Sequence, residues 1–155
     1  MKKITKKIIK LLTAATAISS FHVYAAPINP ISYSLFNGES GSLDYWDDSY
    51  TGSGDNTING AFLSGGLGDL TDGIIATDNW NNVEGPLRGP HGPYVGWVSI
   101  RPNIDFNFGS TTAIDSVTLY LDDSNGLGGV APPSAAIING ISHSMTDPAS
   151  GDPFA

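Results

Sequence analysis

The chain has 155 residues and no cysteine, and its formal net charge of −8 sets fifteen Asp and Glu against seven Lys and Arg. Five of the seven basic residues crowd the first ten positions, so the remaining chain keeps only Arg88 and Arg101 against all fifteen acids, a net of −13. Such a surface lacks the basic footprint that nucleic acid needs and is repelled by anionic membranes, and without cysteine neither a lipid-anchored lipoprotein, a disulfide framework nor a thiol nucleophile is available.

The amino terminus places Lys2, Lys3, Lys6, Lys7 and Lys10 before an apolar stretch over residues 11–18 and then Val23-Tyr24-Ala25, with small residues at the last and third-last positions before a cut after Ala25. This is the pattern of a secretory signal peptide over residues 1–25, too short and too rich in Ser and Thr to span a bilayer. The expected location is therefore outside the cell or at its surface. Residues 26–155 are read as one domain, long enough for a single core.

Along that domain Gly, Pro, Asn, Asp and Ser interrupt the sequence every few residues, and the apolar runs are short and alternating. That favours an all-β fold, an antiparallel β-sandwich. A first strand is expected over 31–36, a turn over 37–41, a short strand at Tyr45-Trp46 and a long polar loop over 47–59. Ala61-Phe62-Leu63 leads into Gly65-Gly66-Leu67-Gly68, read as a flexible connector. An Asp-Gly turn follows at Asp72-Gly73, and three Gly-Pro pairs make residues 81–93 an exposed loop. Strands are expected over 94–100, 104–109 and 114–121, with Trp97 in the core and Phe106 and Phe108 on the face opposite Asp105 and Asn107. A turn at 122–126 precedes a last hairpin, 135–138 turning at Asn139-Gly140 toward Ile141.

The stretch over residues 70–80 carries the most chemistry. Asp72, the carbonyl of Ile75 and the hydroxyl of Thr77 are hard oxygens on a tight loop turned by Gly73, a spacing that suits calcium, which takes six to eight such ligands. The same residues also make an ordinary Asp-Gly turn between strands, followed by a core Trp80. The order Asp-Gly, Thr and Trp, then the Trp97 strand, an alternating strand ending Phe108-Gly109 and the Ile114, Val117, Leu119 strand resembles the galactose-binding-like jelly rolls, which include discoidin or coagulation-factor type C domains and many carbohydrate-binding modules. The likeness covers residues 33–141. The phrases around Tyr45-Trp46-Asp47-Asp48 and Gly68-Asp69-Leu70-Thr71-Asp72-Gly73 are also similar to exported bacterial proteins of the PEP-CTERM-associated kind. The resemblance implies a structural calcium ion and a glycan or other surface ligand. In that family a late strand completes the sheet and adds a carboxylate to the calcium site, so the resemblance implies a sandwich incomplete at its C-terminal end.

The carboxylates select no catalytic pair: Asp47 and Asp48 are adjacent, as are Asp122 and Asp123, and neighbours on a strand point apart. His91 and His143 have no zinc-like neighbours, no Gly-x-Ser-x-Gly elbow is present, and the glycine run lacks the Lys-Thr of a phosphate cradle. A non-catalytic binding domain is expected. Its ligand residues are taken as Trp46 and Tyr50, as stacking platforms, with Asp48, Arg88 and Tyr94 gripping hydroxyls, and its partner as an extracellular polysaccharide or cell-surface glycan. Two other readings fit the residues, an adhesive matrix component without a defined sugar ligand and an accessory domain of a larger glycan-active hydrolase.

Overall fold

A computed structural model describes residues 26–41, 44–84, 92–122 and 130–145. The expected signal peptide, Arg88, His91 and the Asp123 to Gly126 part of the expected turn lie outside these residues. Among the described residues the chain is all-β apart from one helical turn. Three strands, β1 (Ser32–Phe36), β2 (Phe62–Gly66) and β3 (Ile104–Asn107), form an antiparallel sheet in the order β2-β1-β3. The helical turn α1 (Trp80–Val83) lies between β2 and β3, and β4 (Ala135–Ile138) pairs with β5 (Ile141–Ser144) in a separate two-stranded sheet. Among the described residues no helix is long and apolar enough to cross a membrane.

Alternation builds the central strand. Tyr33 and Leu35 point inward and are buried, while Ser32, Ser34 and Phe36 face outward. Leu35 pairs with Leu63 and Tyr33 with Gly66, and a register shift between the two pairs keeps Leu63 and Gly66 on the same inner side. Tyr33 packs edge-on against Tyr50 with ring centroids 5.2 Å apart and meets Phe106 of β3 at 5.8 Å. Tyr33, Leu35, Tyr50 and Leu63 make the buried apolar core, with Leu70, Val95, Trp97 and Ile104 packed against it. On the outer face the Phe36 and Phe62 rings meet at 5.4 Å, and both are exposed.

The last hairpin follows its sequence signal. Asn139 and Gly140 both adopt positive φ, 50° and 81°, the turn whose twist matches two antiparallel strands. The hairpin contacts none of β1, β2 or β3, and Ile137 and Ile141 are exposed. Three expected strands are not formed. Over 94–100 the amides of Val98 and Ser99 both donate to Glu39 Oε2, at 2.6 Å each, so this segment spends its donors on a side-chain carboxylate rather than on a ladder. Its backbone is linked to the rest of the domain by Gly96 N–H to the Tyr45 carbonyl, 3.1 Å, and Glu39 N–H to the Gly96 carbonyl, 2.9 Å. The expected strand over 114–121 alternates as a strand would, yet among the described residues Leu121 alone makes a bridge, and Ile114, Val117, Leu119 and Tyr120 are exposed. Tyr45 and Trp46 likewise form no strand.

Residues 65–68 are not a loose connector. Gly65 and Gly66 close β2, and a Cβ on Gly68 would run into the Asp47 carboxylate and the Tyr33 hydroxyl, so glycine here lets the chain pass directly over a buried acid.

Candidate functional site

The polar loop over 47–59 is tied to the sheet by a hub that the sequence disguises as a turn. Asn37, at the end of β1, is buried; its Oδ1 accepts from the amides of Gly38 at 2.9 Å and Asp47 at 2.8 Å, and its Nδ2 donates to the Asn56 carbonyl at 2.9 Å and the Ile58 carbonyl at 3.5 Å. Asp47, held at its amide by Asn37, turns its own carboxylate inward: Oδ2 accepts from the Tyr33 hydroxyl and Oδ1 from the Asp69 amide at 2.9 Å. Tyr50 donates to the Tyr33 carbonyl and accepts from Gly66 N–H at 2.8 Å. Together these bonds bring residues 47–49 over the start of the 69–77 loop.

Between those two segments lies a cleft of about 550 Å³. Ile74, Ile75, Ala76, Val83 and Pro93 give it apolar walls, and Ser49, Asp69, Asp72 and Thr77 supply its polar side chains. Asp69 is 8% exposed. Its Oδ1 accepts from the Ser49 hydroxyl, whereas Oδ2 is buried and has no hydrogen-bond partner among the described residues. A carboxylate oxygen in that state is costly, because burial removes its water without replacing the donors. Desolvation accordingly pushes the Asp69 carboxyl up to about 6, with Asp47, Asp48 and Asp72 adding repulsion against the Ser49 bond that opposes it.

Glu84, just after α1, is buried as well; its Oε1 accepts from Tyr94 N–H at 2.7 Å. Burial raises its carboxyl to about 7, and Asp48, Asp69 and Asp44 push the same way. Burial also raises Asp47, against the Tyr33 and Asp69 bonds, and raises the Tyr33 hydroxyl beyond its ordinary range. Arg101 is the one Lys or Arg among the described residues. The interior beside the cleft is thus a set of desolvated acids.

No family model, curated protein or solved structure matches this chain.

Of the residues that sequence alone points to, Asp72, Ile75 and Thr77 line this one cleft together. Asp72 Oδ1 accepts from Ile74 N–H at 2.7 Å, an Asx turn that closes the loop locally. Among the described residues no group of three or more His, Cys, Asp or Glu side chains is placed to share an ion, so a calcium ion here would draw most of its oxygens from Thr77, backbone carbonyls and water. Tyr50 is 7% exposed and spends its hydroxyl in the core, which corrects its reading as a sugar-stacking platform. Trp46 is half-buried and donates through Nε1 to Asn59 Oδ1 at 2.7 Å, away from the cleft lining. Asp48 is half-buried beside buried Asp47, and its carbonyl holds Asn56 Nδ2 at 2.7 Å. Tyr94 adjoins Pro93 of the cleft wall but donates its hydroxyl to the Asp78 carbonyl at 2.8 Å. Arg88 lies outside the described residues. Trp97 packs against the core, as expected, and donates through Nε1 to the Phe36 carbonyl at 2.8 Å.

Asn37, Asp47, Asp69 and Glu84 carry most of the buried polar chemistry, and sequence reasoning passed over all four. Asn and Asp are turn residues and a Glu is ordinarily exposed, so composition places all four on the surface.

Proposed function

We propose that the chain is an exported, non-catalytic binding domain of the antiparallel sandwich kind, related in design to the galactose-binding-like jelly rolls. It recognises an extracellular polysaccharide or cell-surface glycan in the cleft between Ser49 and the 69–77 loop, and a calcium ion on Asp72, Thr77 and the Ile75 carbonyl steadies that loop. The observation that carries the reading is the cleft itself: a volume of about 550 Å³, mainly apolar walls and a few oxygen-bearing side chains among the lining. That combination of size and lining is typical of small-ligand sites. Apolar walls accept the C–H face of a sugar ring, while Asp69, Asp72 and the Ser49 and Thr77 hydroxyls accept or donate to its hydroxyls. Calcium would supply fixed geometry and charge compensation, with the chain's own residues doing the recognition.

Thermal melting over a panel of neutral, acidic and amino polysaccharides, with calcium or with chelator, tests this. A ligand that binds the folded state at one hundred times its dissociation constant is expected to add ~2.7 kcal/mol of stability. Calcium is expected to raise the melting temperature of the wild type but not of Asp72→Ala, with Thr77→Ala intermediate. Melting curves unmoved by every glycan, with calcium binding retained, would instead favour an acidic matrix component that gathers divalent ions without recognising a sugar.

A further inference from the structure

We infer that the cleft takes an amine-bearing sugar, with the ammonium of a deacetylated amino sugar held by Asp69 and the ring laid against the apolar wall. The inference rests on the glycan-binding reading and names the class of sugar. Its first support is the orphaned oxygen. Asp69 is more than nine-tenths buried, is among the residues lining the cleft, and gives Oδ1 to Ser49, while Oδ2 is covered and has no partner among the described residues, so binding an ammonium requires the side chain to turn toward the cleft. An ammonium group brings three N–H donors and a positive charge, which satisfies such an oxygen far better than a neutral hydroxyl or an acetamide can.

Size gives the second support. A cleft of about 550 Å³ falls in the range of small organic ligands and is far roomier than a lone cation needs. Ile74, Ile75, Val83 and Pro93 offer apolar surface beside the carboxylate, which suits a cation carried on a ring body. Charge gives the third. Residues 26–155 carry two basic and fifteen acidic side chains, so a uronic-acid polymer is repelled at long range and an amine-bearing polymer is drawn in.

The test is calorimetric titration of the full chain with a glucosamine oligomer bearing free amines and with its fully N-acetylated counterpart, each with calcium and with chelator. The free-amine oligomer is expected to bind at least about tenfold more tightly, and chelator to leave that preference unchanged. Asp69→Asn keeps the acceptor for Ser49 and the side-chain shape, and is expected to abolish the preference while the variant still melts cooperatively. Asp105→Asn, exposed on β3 and outside the cleft lining, removes the same charge and is expected to keep the preference. Equal binding of the two oligomers overturns the inference and leaves the glycan reading standing. A preference that survives Asp69→Asn, falls equally with Asp105→Asn, or vanishes with chelator also overturns it. If neither oligomer nor any other glycan binds, the glycan reading fails and this inference falls with it.

Discussion

The fold is expected to gain stability as pH is lowered from about 8 to about 5, the reverse of ordinary acid unfolding. The cause is the pair of buried acids beside the cleft. Asp69 is raised from its ordinary 3.8 to about 6 and Glu84 from 4.5 to about 7, each chiefly by desolvation. The groups acting on Asp69 are Ser49, Asp47, Asp48 and Asp72, and those acting on Glu84 are the Tyr94 amide, Asp48, Asp69 and Asp44. Between the unfolded and folded values the native chain binds more protons than the unfolded one, so stability falls as pH rises through that window and is complete below the unfolded values. At about 1.4 kcal/mol per pKa unit, and discounting for the repulsion the two acids share, the loss between pH 5 and pH 8 is roughly 3 kcal/mol. Glu39 and Asp55, whose carboxyls are lowered by amide and hydroxyl donors, act in the opposite sense only at lower pH and from the exposed surface. Urea unfolding midpoints across this range, at fixed salt, check the prediction. A midpoint that rises with pH would contradict it.

Asn37→Ala is expected to cost about 3 to 5 kcal/mol, because the truncation removes four hydrogen bonds at once and leaves the Asp47 amide and the Asn56 carbonyl without their side-chain partner. The loss extends beyond the hub. With its amide released, Asp47 is no longer fixed under Gly68, and the Tyr33 hydroxyl and the Asp69 amide lose a positioned acceptor. A domain whose buried apolar core rests on Tyr33, Leu35, Tyr50 and Leu63 has little reserve for such a loss. Guanidinium or urea titration of the variant should show a much lower midpoint with a preserved slope. A change below about 1 kcal/mol would mean that water replaces the side chain and that the hub does not organise the cleft.

The part of the fold legible in sequence is the part specified locally. The alternation of Tyr33 and Leu35 gives β1, and Asn139-Gly140 gives the last hairpin with its positive φ values, because each signal is contained in a few adjacent residues. The segments misread are those decided by a distant partner. Residues 94–100 alternate well, but Glu39 captures two of their amides from about sixty positions away, and residues 114–121 show the pattern of a strand but reach no more than a bridge at Leu121 among the described residues. The site divides the same way. Asp72, Ile75 and Thr77 were grouped by spacing along one loop, and one loop brings them to one cleft. Asp69 could not be found that way, since its character comes from burial beneath residues 47–49 and from a missing donor, neither of which has a sequence signature. Tyr50 was misplaced because an aromatic flanked by Asp reads as surface, while Tyr33 and Gly66 give it a buried berth.

The central claim is that Asp69 is kept as a buried, underpartnered carboxylate for a ligand rather than for the fold, a trade of stability against function. The most direct measurement is thermal melting of the wild type and Asp69→Asn at a pH near 7.5, each alone and with the free-amine glucosamine oligomer. The variant alone is expected to melt above the wild type, since it removes a desolvated charge but keeps the Ser49 acceptor, and only the wild type is expected to gain from the oligomer. A variant that melts below the wild type and still responds to the oligomer would contradict it.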